Sequence, residues 1–373
     1  MNGRQTNPQN NRVPAQRPQS GGTPTKRPQG TPPRRRRRFR FKPNKEGMQA
    51  LLILVLLAAL IITVLVLTIK GIINAVTSDP ESTTTAATTT GETSTEPPVV
   101  AAWRDGYVNE IRPNTDVAVG DLILVNFEQS YPLTDAIKSK LTSLSADKAY
   151  GEYFVLREFE MKIRGEIITE LRQMITDLVT AQSTLGTSKD GDRVIIVSGH
   201  RTTDYQQNLY DNQVTENYVA IPGHSEHHTG LAVDLKVYTS KQKTVEFRED
   251  EQAWMEANCA NYGFVVRYDG AKFELTGILD ETWHFRYVGK PHAQYMTDNN
   301  LCLEEYLTML RTHHNVDSEA PLTYTTADAT YEIYYVPASA SETTDIPVPK
   351  ADSVTAIDIS GDNMGGFIVT VTK

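Results

Sequence analysis

Cysteine is scarce, with Cys259 and Cys302 the only two in a chain of 373 residues. That excludes a disulfide framework as the basis of stability and excludes Cys-rich zinc fingers, so a metal bound here must be held by histidine and carboxylate side chains. Two catalytic signatures are missing as well. There is no H-E-x-x-H, which sets aside the helical zincin peptidases. Residues 145–148 and 240–243 match S-x-x-K, but no K-T-G accompanies them, as a serine-type penicillin-sensitive peptidase requires. Acidic residues are nearly absent from positions 1–47, where thirteen Lys and Arg face Glu46 alone, a net +12; the whole chain is −9, so residues 48–373 carry −21. The two parts are read separately.

One long apolar run is present. Residues 50–69 have only Thr63 and Thr68 as polar members, and as a helix they span about 30 Å, the hydrocarbon thickness of a bilayer. A buried core helix is rarely so long and uniform. A cleaved signal peptide is disfavoured by the long preceding segment and by the lack of a small-x-small cleavage site. The pattern predicts one transmembrane helix within 48–76. Arg34 to Arg38, Arg40, Lys42 and Lys45 precede it and only Lys70 follows closely, which places the N-terminus in the cytoplasm and the rest outside. Residues 1–47, rich in Pro, Gln, Asn, Gly and Arg, read as a disordered basic tail whose charge is a topogenic signal, with no nucleic-acid partner expected. Residues 77–100, mostly Thr, Ser, Glu and Pro, read as a linker.

In the exported part, apolar residues recur at steps of three and four from Leu156 through Phe159, Ile163, Ile167, Leu171, Ile175 and Leu178, which predicts an amphipathic helix. RVIIVS (193–198) reads as a strand, and Asp204 as the cap of a helix carrying Gln206 and Leu209. In LAVDLKV, Leu231, Val233, Leu235 and Val237 share one strand face and Asp234 points to the other. A helix near 251–262 ends at Gly263, GFVVRY and WHFRYVG are strand-like, Pro291 opens a helix, and another covers 301–310. The mixture lacks a βαβ rhythm, so the class is α+β with a small, largely antiparallel sheet. A zinc peptidase domain is expected over 101–314, and 315–373 as a small β extension leaning on it.

The densest set of ligand-type side chains lies in SEHHTGLAVD (225–234) and, fifty residues on, ETWH (281–284). A catalytic zinc needs three protein ligands, an open position, and a carboxylate to take a proton from water. His227, Asp234 and His284 can supply the first and Glu281 the last. Glu281 and His284 are three apart, which puts them on opposite faces of a straight strand, so the chain must bend around Thr282.

With SGHRTTDYQQNLY (198–210), SEHHTGLAVD and ETWHFRYVG in this order, the chain resembles the zinc D-alanyl-D-alanine carboxypeptidases of the VanY type, together with the related L,D-carboxypeptidases and D,D-dipeptidases. The likeness covers roughly residues 110–312 and meets both S-x-H-x-x-G-x-A-x-D and E-x-W-H in full. It implies a Zn²⁺ held by His227, Asp234 and His284, Glu281 as general base and acid, and Arg201 as the cation that stabilises the oxyanion. Gln206 and Ser225 would line the substrate site, and Trp283 reads as both core and pocket wall. The implied activity is removal of the C-terminal D-alanine from peptidoglycan stem peptides by zinc-activated water, at a D,D or an L,D bond, in a bacterial envelope. His200 and His228 stand where such sequences often have Tyr and Gln, which bears on subsite preference. A non-catalytic, zinc-stabilised peptidoglycan-binding module is the alternative, and the presence of Glu281 and Arg201 counts against it. His224 and His228 read as loop residues near the ligands, and His292, His313 and His314 as helix-surface residues. Cys259 and Cys302 read as buried thiols, with a mutual disulfide as the alternative.

Overall fold

The computed structural model describes residues 104–132, 135–185, 192–213, 215 and 218–373. The predicted tail (1–47), membrane helix (48–76) and linker (77–100) lie outside these, and among the described residues no helix is long and apolar enough to cross a membrane.

Fourteen strands are described: β1 (Val108–Pro113), β2 (Leu141–Ser143), β3 (Phe154–Leu156), β4 (Lys162–Arg164), β5 (Arg193–Ser198), β6 (Ala232–Tyr238), β7 (Thr244–Val245), β8 (Phe264–Tyr268), β9 (Glu281–Tyr287), β10 (Leu322–Thr325), β11 (Thr330–Pro337), β12 (Thr343–Val348), β13 (Ala356–Gly361) and β14 (Gly366–Thr372). The central sheet has the order β3-β5-β6-β9-β8, with β7 paired to one end of β6. Only β3 and β5 run parallel in it. With helices interspersed, this is the α+β class expected.

Strand β6 lies at the centre because its sequence can be buried on both sides. Leu231, Val233 and Leu235 are fully buried in one cluster with Leu171, Met174, Ile175 and Leu178 of the Ile168–Leu185 helix, each worth roughly 1.5–3 kcal/mol of apolar burial. Asp234 faces the other way and is buried too.

The helix expected from Leu156 starts only at Ile168. Upstream, the three-and-four spacing is carried by an exposed Phe159 and by Ile163, which is buried in β4. The backbone of β4 is committed to β2, and a 3₁₀ turn at Gly165–Ile167 separates it from the helix. Thr202, not Asp204, caps the Thr203–Asp211 helix, its side chain accepting from the Tyr205 amide. The Glu249–Asn258 helix passes into a 3₁₀ turn that stops at Gly263, whose φ of +82° and proximity to Tyr287 leave no room for a side chain.

Residues 322–372 form an antiparallel sheet, β10-β11-β14-β13, while β12 pairs with β1. Leu322, Ile333, Tyr335 and Ile368 share a core with Leu303, Tyr306, Leu307 and Leu310 of the Leu303–His313 helix and with Leu122 and Leu124. The extension is therefore built into the peptidase part. His292, read as a surface residue, is instead buried where this sheet covers the Lys290–Asp298 helix. Its Nδ1 lies 2.7 Å from the Tyr306 hydroxyl and its Nε2 3.1 Å from Thr370 Oγ1. Cys259 and Cys302 are free, buried thiols, and burial pushes both up to about 12.

Candidate metal centre

Strand register assembles the site. In the antiparallel pairs, Asp234 of β6 stands directly opposite His284 of β9 on one side and Ser198 of β5 on the other. Directly opposed residues project to the same face of a sheet. Between β8 and β9 the register slips, with Val266 against Phe285 but Tyr268 against Glu281. A bulge absorbs the extra residues around Thr282 and Trp283, and the bend expected there brings Glu281 Oε2 to 3.8 Å from His284 Nδ1.

His227 comes from a 3₁₀ turn, Glu226–Thr229, that ends on Gly230 at φ +71°. At this left-handed φ, where a Cβ would also stand 3.2 Å from the Arg164 backbone nitrogen, the turn favours glycine. All four turn residues are buried and each has its own task. Thr229 Oγ1 donates to the Glu226 carbonyl and accepts from the Leu231 amide. His228 joins the Arg201 carbonyl (2.9 Å) to the Gly223 amide (3.1 Å). His227 and Glu226 face the centre.

His227, Asp234 and His284 offer one ligand atom each within 4.8 Å of one another. The protonation pattern says what belongs between them. His227 Nδ1 lies 2.8 Å from the Gly199 carbonyl, which can only accept, so Nδ1 carries the proton and Nε2 is an acceptor. That Nε2 faces Asp234 Oδ1 at 3.3 Å. His284 Nε2 lies 3.2 Å from Glu226 Oε2, again an acceptor only, which leaves Nδ1 to face Asp234 Oδ1 at 3.1 Å. These nitrogens and the carboxylate oxygen repel unless a cation, a proton on His284 Nδ1 or a metal ion, lies among them, and the donor set of two imidazoles and one carboxylate fits a metal ion with an open position.

The electrostatics agree. Burial, aided by the Arg201 charge, pushes His227 down to about 4, so its imidazole is neutral as a ligand must be. Burial acts against protonation of His284 too, but hydrogen bonds to Asp234 and Glu226 outweigh it and raise that group to about 9. The site holds a proton where a dication would replace it. Asp234 stays well below the usual carboxylate range, because the charge of Arg201 and the hydrogen bond to His284 overcome the cost of burial. Glu281 is pushed up to about 7 by burial, His284 and Arg201 lowering it and Asp234 raising it.

Arg201 is tied on three sides, with Nε 2.7 Å from Ser198 Oγ, one terminal nitrogen 3.3 Å from Gln206 Oε1 and the other 2.6 Å from Asp234 Oδ2. A cavity of about 350 Å³ opens over these groups, lined by Arg201, Ser225, Glu281 and Trp283 among others. Trp283 stacks on Tyr218 at 6.3 Å, with Lys236 Nζ 4.6 Å from the ring centre. Gln206 is fully buried behind the wall, where it donates to the Ala220 carbonyl and accepts from Arg201. His224 turns its Nδ1 to the Asn126 carbonyl and does not join the group of three.

Sequence reasoning passed over Glu226, Arg267 and Arg286. Glu226 Oε1 accepts from Arg267 Nε and from an Arg286 terminal nitrogen, each at 2.8 Å, while Oε2 receives His284. All three side chains are buried. The usable signal was an arginine inside each of two apolar strands, GFVVRY and WHFRYVG, since a buried guanidinium demands a carboxylate.

The fold and these groups define a hydrolase-type centre with a place for a metal ion. The VanY family of D-alanyl-D-alanine carboxypeptidases matches residues 162–290. A D-alanyl-D-alanine carboxypeptidase of Enterococcus faecium is 34% identical over 253 residues, 68% of this chain and 75% of that protein. VanXYC of Enterococcus gallinarum, a bifunctional D-Ala-D-Ala dipeptidase and D-Ala-D-Ala carboxypeptidase, is 40% identical over 133 residues, 32% of this chain and 68% of that protein. Among solved structures, the vancomycin-resistance D,D-dipeptidase VanXYg in complex with a D-Ala-D-Ala phosphinate analog is 29% identical with a TM-score of 0.58, covering 72% of this chain and 99% of that one. The chain belongs to the VanY-type D-alanyl-D-alanine carboxypeptidase family.

Proposed function

We propose that the protein is a zinc carboxypeptidase, held by one membrane helix with its N-terminus in the cytoplasm, that removes the C-terminal D-alanine from peptidoglycan stem peptides outside the cell. The observation that carries this reading is the convergence of His227 Nε2, His284 Nδ1 and Asp234 Oδ1 beside Glu281 in one cavity. Three N and O donors with room for a fourth ligand suit zinc. Zinc, when bound, supplies a Lewis acid and lowers the pKa of a water molecule. Relatives named for action on D-Ala-D-Ala support a D,D bond as the first substrate to test, with the L,D bond of a tetrapeptide as the alternative.

Glu281 takes the proton of the attacking water on its carboxylate and returns it to the departing amine. Arg201, fixed by Ser198, Gln206 and Asp234, presents its charge to the carbonyl oxygen as negative charge develops there. Leu209, Val219, Ile278 and Trp283 give the cavity apolar walls suited to alanine methyl groups. A closed structural site has four protein ligands and needs neither Glu281 nor Arg201, which weighs against a non-catalytic wall-binding module. The basic cluster before residues 50–69 supports the orientation.

The test is mass spectrometry of defined pentapeptide and tetrapeptide muropeptides after incubation with the full chain in detergent. One alanine should be lost from the pentapeptide, a chelator should stop the loss, zinc should restore it, and penicillin should have no effect. Zinc and muropeptide binding without release would establish the binding module instead. A tag after Lys373 should be open to protease on intact cells; a tag protected until the membrane is breached would place the domain inside.

A further inference from the structure

Beneath the candidate metal centre is a charge cluster that the reaction itself does not use. Arg267 is wholly enclosed and gives all three of its nitrogens to carboxylates: Nε to Glu226 Oε1 at 2.8 Å, and the two terminal nitrogens to Glu304 at 2.7 and 3.0 Å. Arg286 has one carboxylate partner, Glu226; its remaining donors go to the carbonyls of Asp121, Ile123 and Tyr287. The cluster thus holds two guanidinium and two carboxylate groups and is neutral only with both glutamates present. Glu304 lies in the first turn of the Leu303–His313 helix, where the helix dipole favours a negative charge, and Asn126 donates to it as well. Burial raises its proton affinity, but the charge of Arg267 and these hydrogen bonds outweigh that and hold the carboxyl below its usual range.

Glu226 joins this cluster to the candidate ligand His284. Its Oε2 receives His284 Nε2–H, which fixes the imidazole with Nδ1 toward Asp234. Arg267 also lies over the Tyr268 ring at 5.1 Å, and that ring packs on His284 at 4.8 Å. We propose that Glu304 is a positioning residue for His284: by neutralising Arg267 it leaves Glu226 free to orient and polarise the imidazole. Without the Glu304 charge, one carboxylate must serve two buried guanidinium groups, and its negative charge is drawn to Oε1 and away from His284. Partners one shell beyond a metal ligand typically change metal affinity by about 10- to 100-fold, and Glu304, a step further out, belongs at the lower end.

The inference rests on His227, Asp234 and His284 holding the metal, and the experiment separates the two claims. Zinc affinity of the metal-free full chain is measured by competition with a chromogenic chelator. If the wild type takes up no zinc, the proposed function fails first. If it does, Glu304→Gln should bind zinc about tenfold more weakly. Glu304→Asp, which keeps the charge, should stay close to wild type. Glu305→Gln is the control for helix stability, since Glu305 accepts from the Cys302 amide and pairs with Lys272 at the same helix end. It should leave zinc affinity unchanged. The double variant Arg267→Met with Glu304→Gln restores neutrality, with Arg286 against Glu226, and should bind zinc more tightly than Glu304→Gln alone. It also serves if that single variant does not fold, its affinity then expected within a few-fold of wild type. Wild-type affinity in Glu304→Gln, an equal loss in Glu305→Gln, or a double variant weaker than the single one would overturn the proposal, because a purely structural role gives those results.

Discussion

Replacing Glu226 by glutamine tests how much the buried cluster holds. The side chain keeps its shape and loses its charge in a place where it is 1% exposed. Arg267 keeps Glu304, but Arg286 is left with backbone carbonyls only. Removing one partner from a buried ion pair costs about 3–5 kcal/mol, since the other charge stays buried and unpaired. The amide also creates a conflict of donors. If its oxygen faces the arginines, its NH₂ meets His284 Nε2–H, and relief requires the imidazole to move its proton to Nδ1, the atom turned toward Asp234. Stability and metal binding should therefore fall together. Urea unfolding in the presence of chelator reads the first: with a slope of about 3 kcal/mol per molar for a chain of this size, the midpoint should drop by about 1–1.7 M. Zinc competition reads the second, with a loss of about 10- to 100-fold. A midpoint within about 0.3 M of wild type, with unchanged zinc affinity, would refute both the charge accounting and the tautomer assignment.

His292 predicts acid sensitivity. Burial lowers it from 6.5 to about 3, so between those values the unfolded chain binds more protons than the folded one and stability is lost as pH falls through this window, by roughly 2–3 kcal/mol at pH 4.5. Thermal unfolding of His292→Gln at pH 7.5 and 4.5 should show a shallower fall than wild type; parallel falls would assign the acid lability elsewhere. His227→Ala, Asp234→Ala and His284→Ala should each bind far less than the one zinc per chain expected of wild type, as measured by metal analysis of the purified protein. Undiminished zinc in all three would remove the site.

Much of the centre was legible because its parts are local. The spacing from His227 to Asp234 is a turn plus half a strand, the period of β6 gives the face of Asp234, and the odd interval from Glu281 to His284 already required the bulge seen against β8. What could not be read depends on distant partners. Glu226 meets Arg267 and Arg286 across 41 and 60 residues, and nothing in SEHHTG shows that its glutamate is tied to them. His292 looked like a surface residue because the sheet that covers it comes from residues beyond 320. The helix drawn from Leu156 failed for a different reason. Spacing alone does not separate a helix from short strands and turns that happen to place apolar residues three or four apart, and Phe159 in that series is exposed.

Glu281 is proposed to move protons in a site whose metal is held by other residues. Glu281→Gln keeps the volume and removes the base, so turnover of a D-Ala-D-Ala pentapeptide, followed by release of D-alanine at matched zinc occupancy, is the direct measurement. One zinc per chain is expected in both proteins, with a kcat about 10²- to 10⁴-fold lower in the variant. A variant with its zinc in place and a kcat near that of wild type would contradict that role of Glu281.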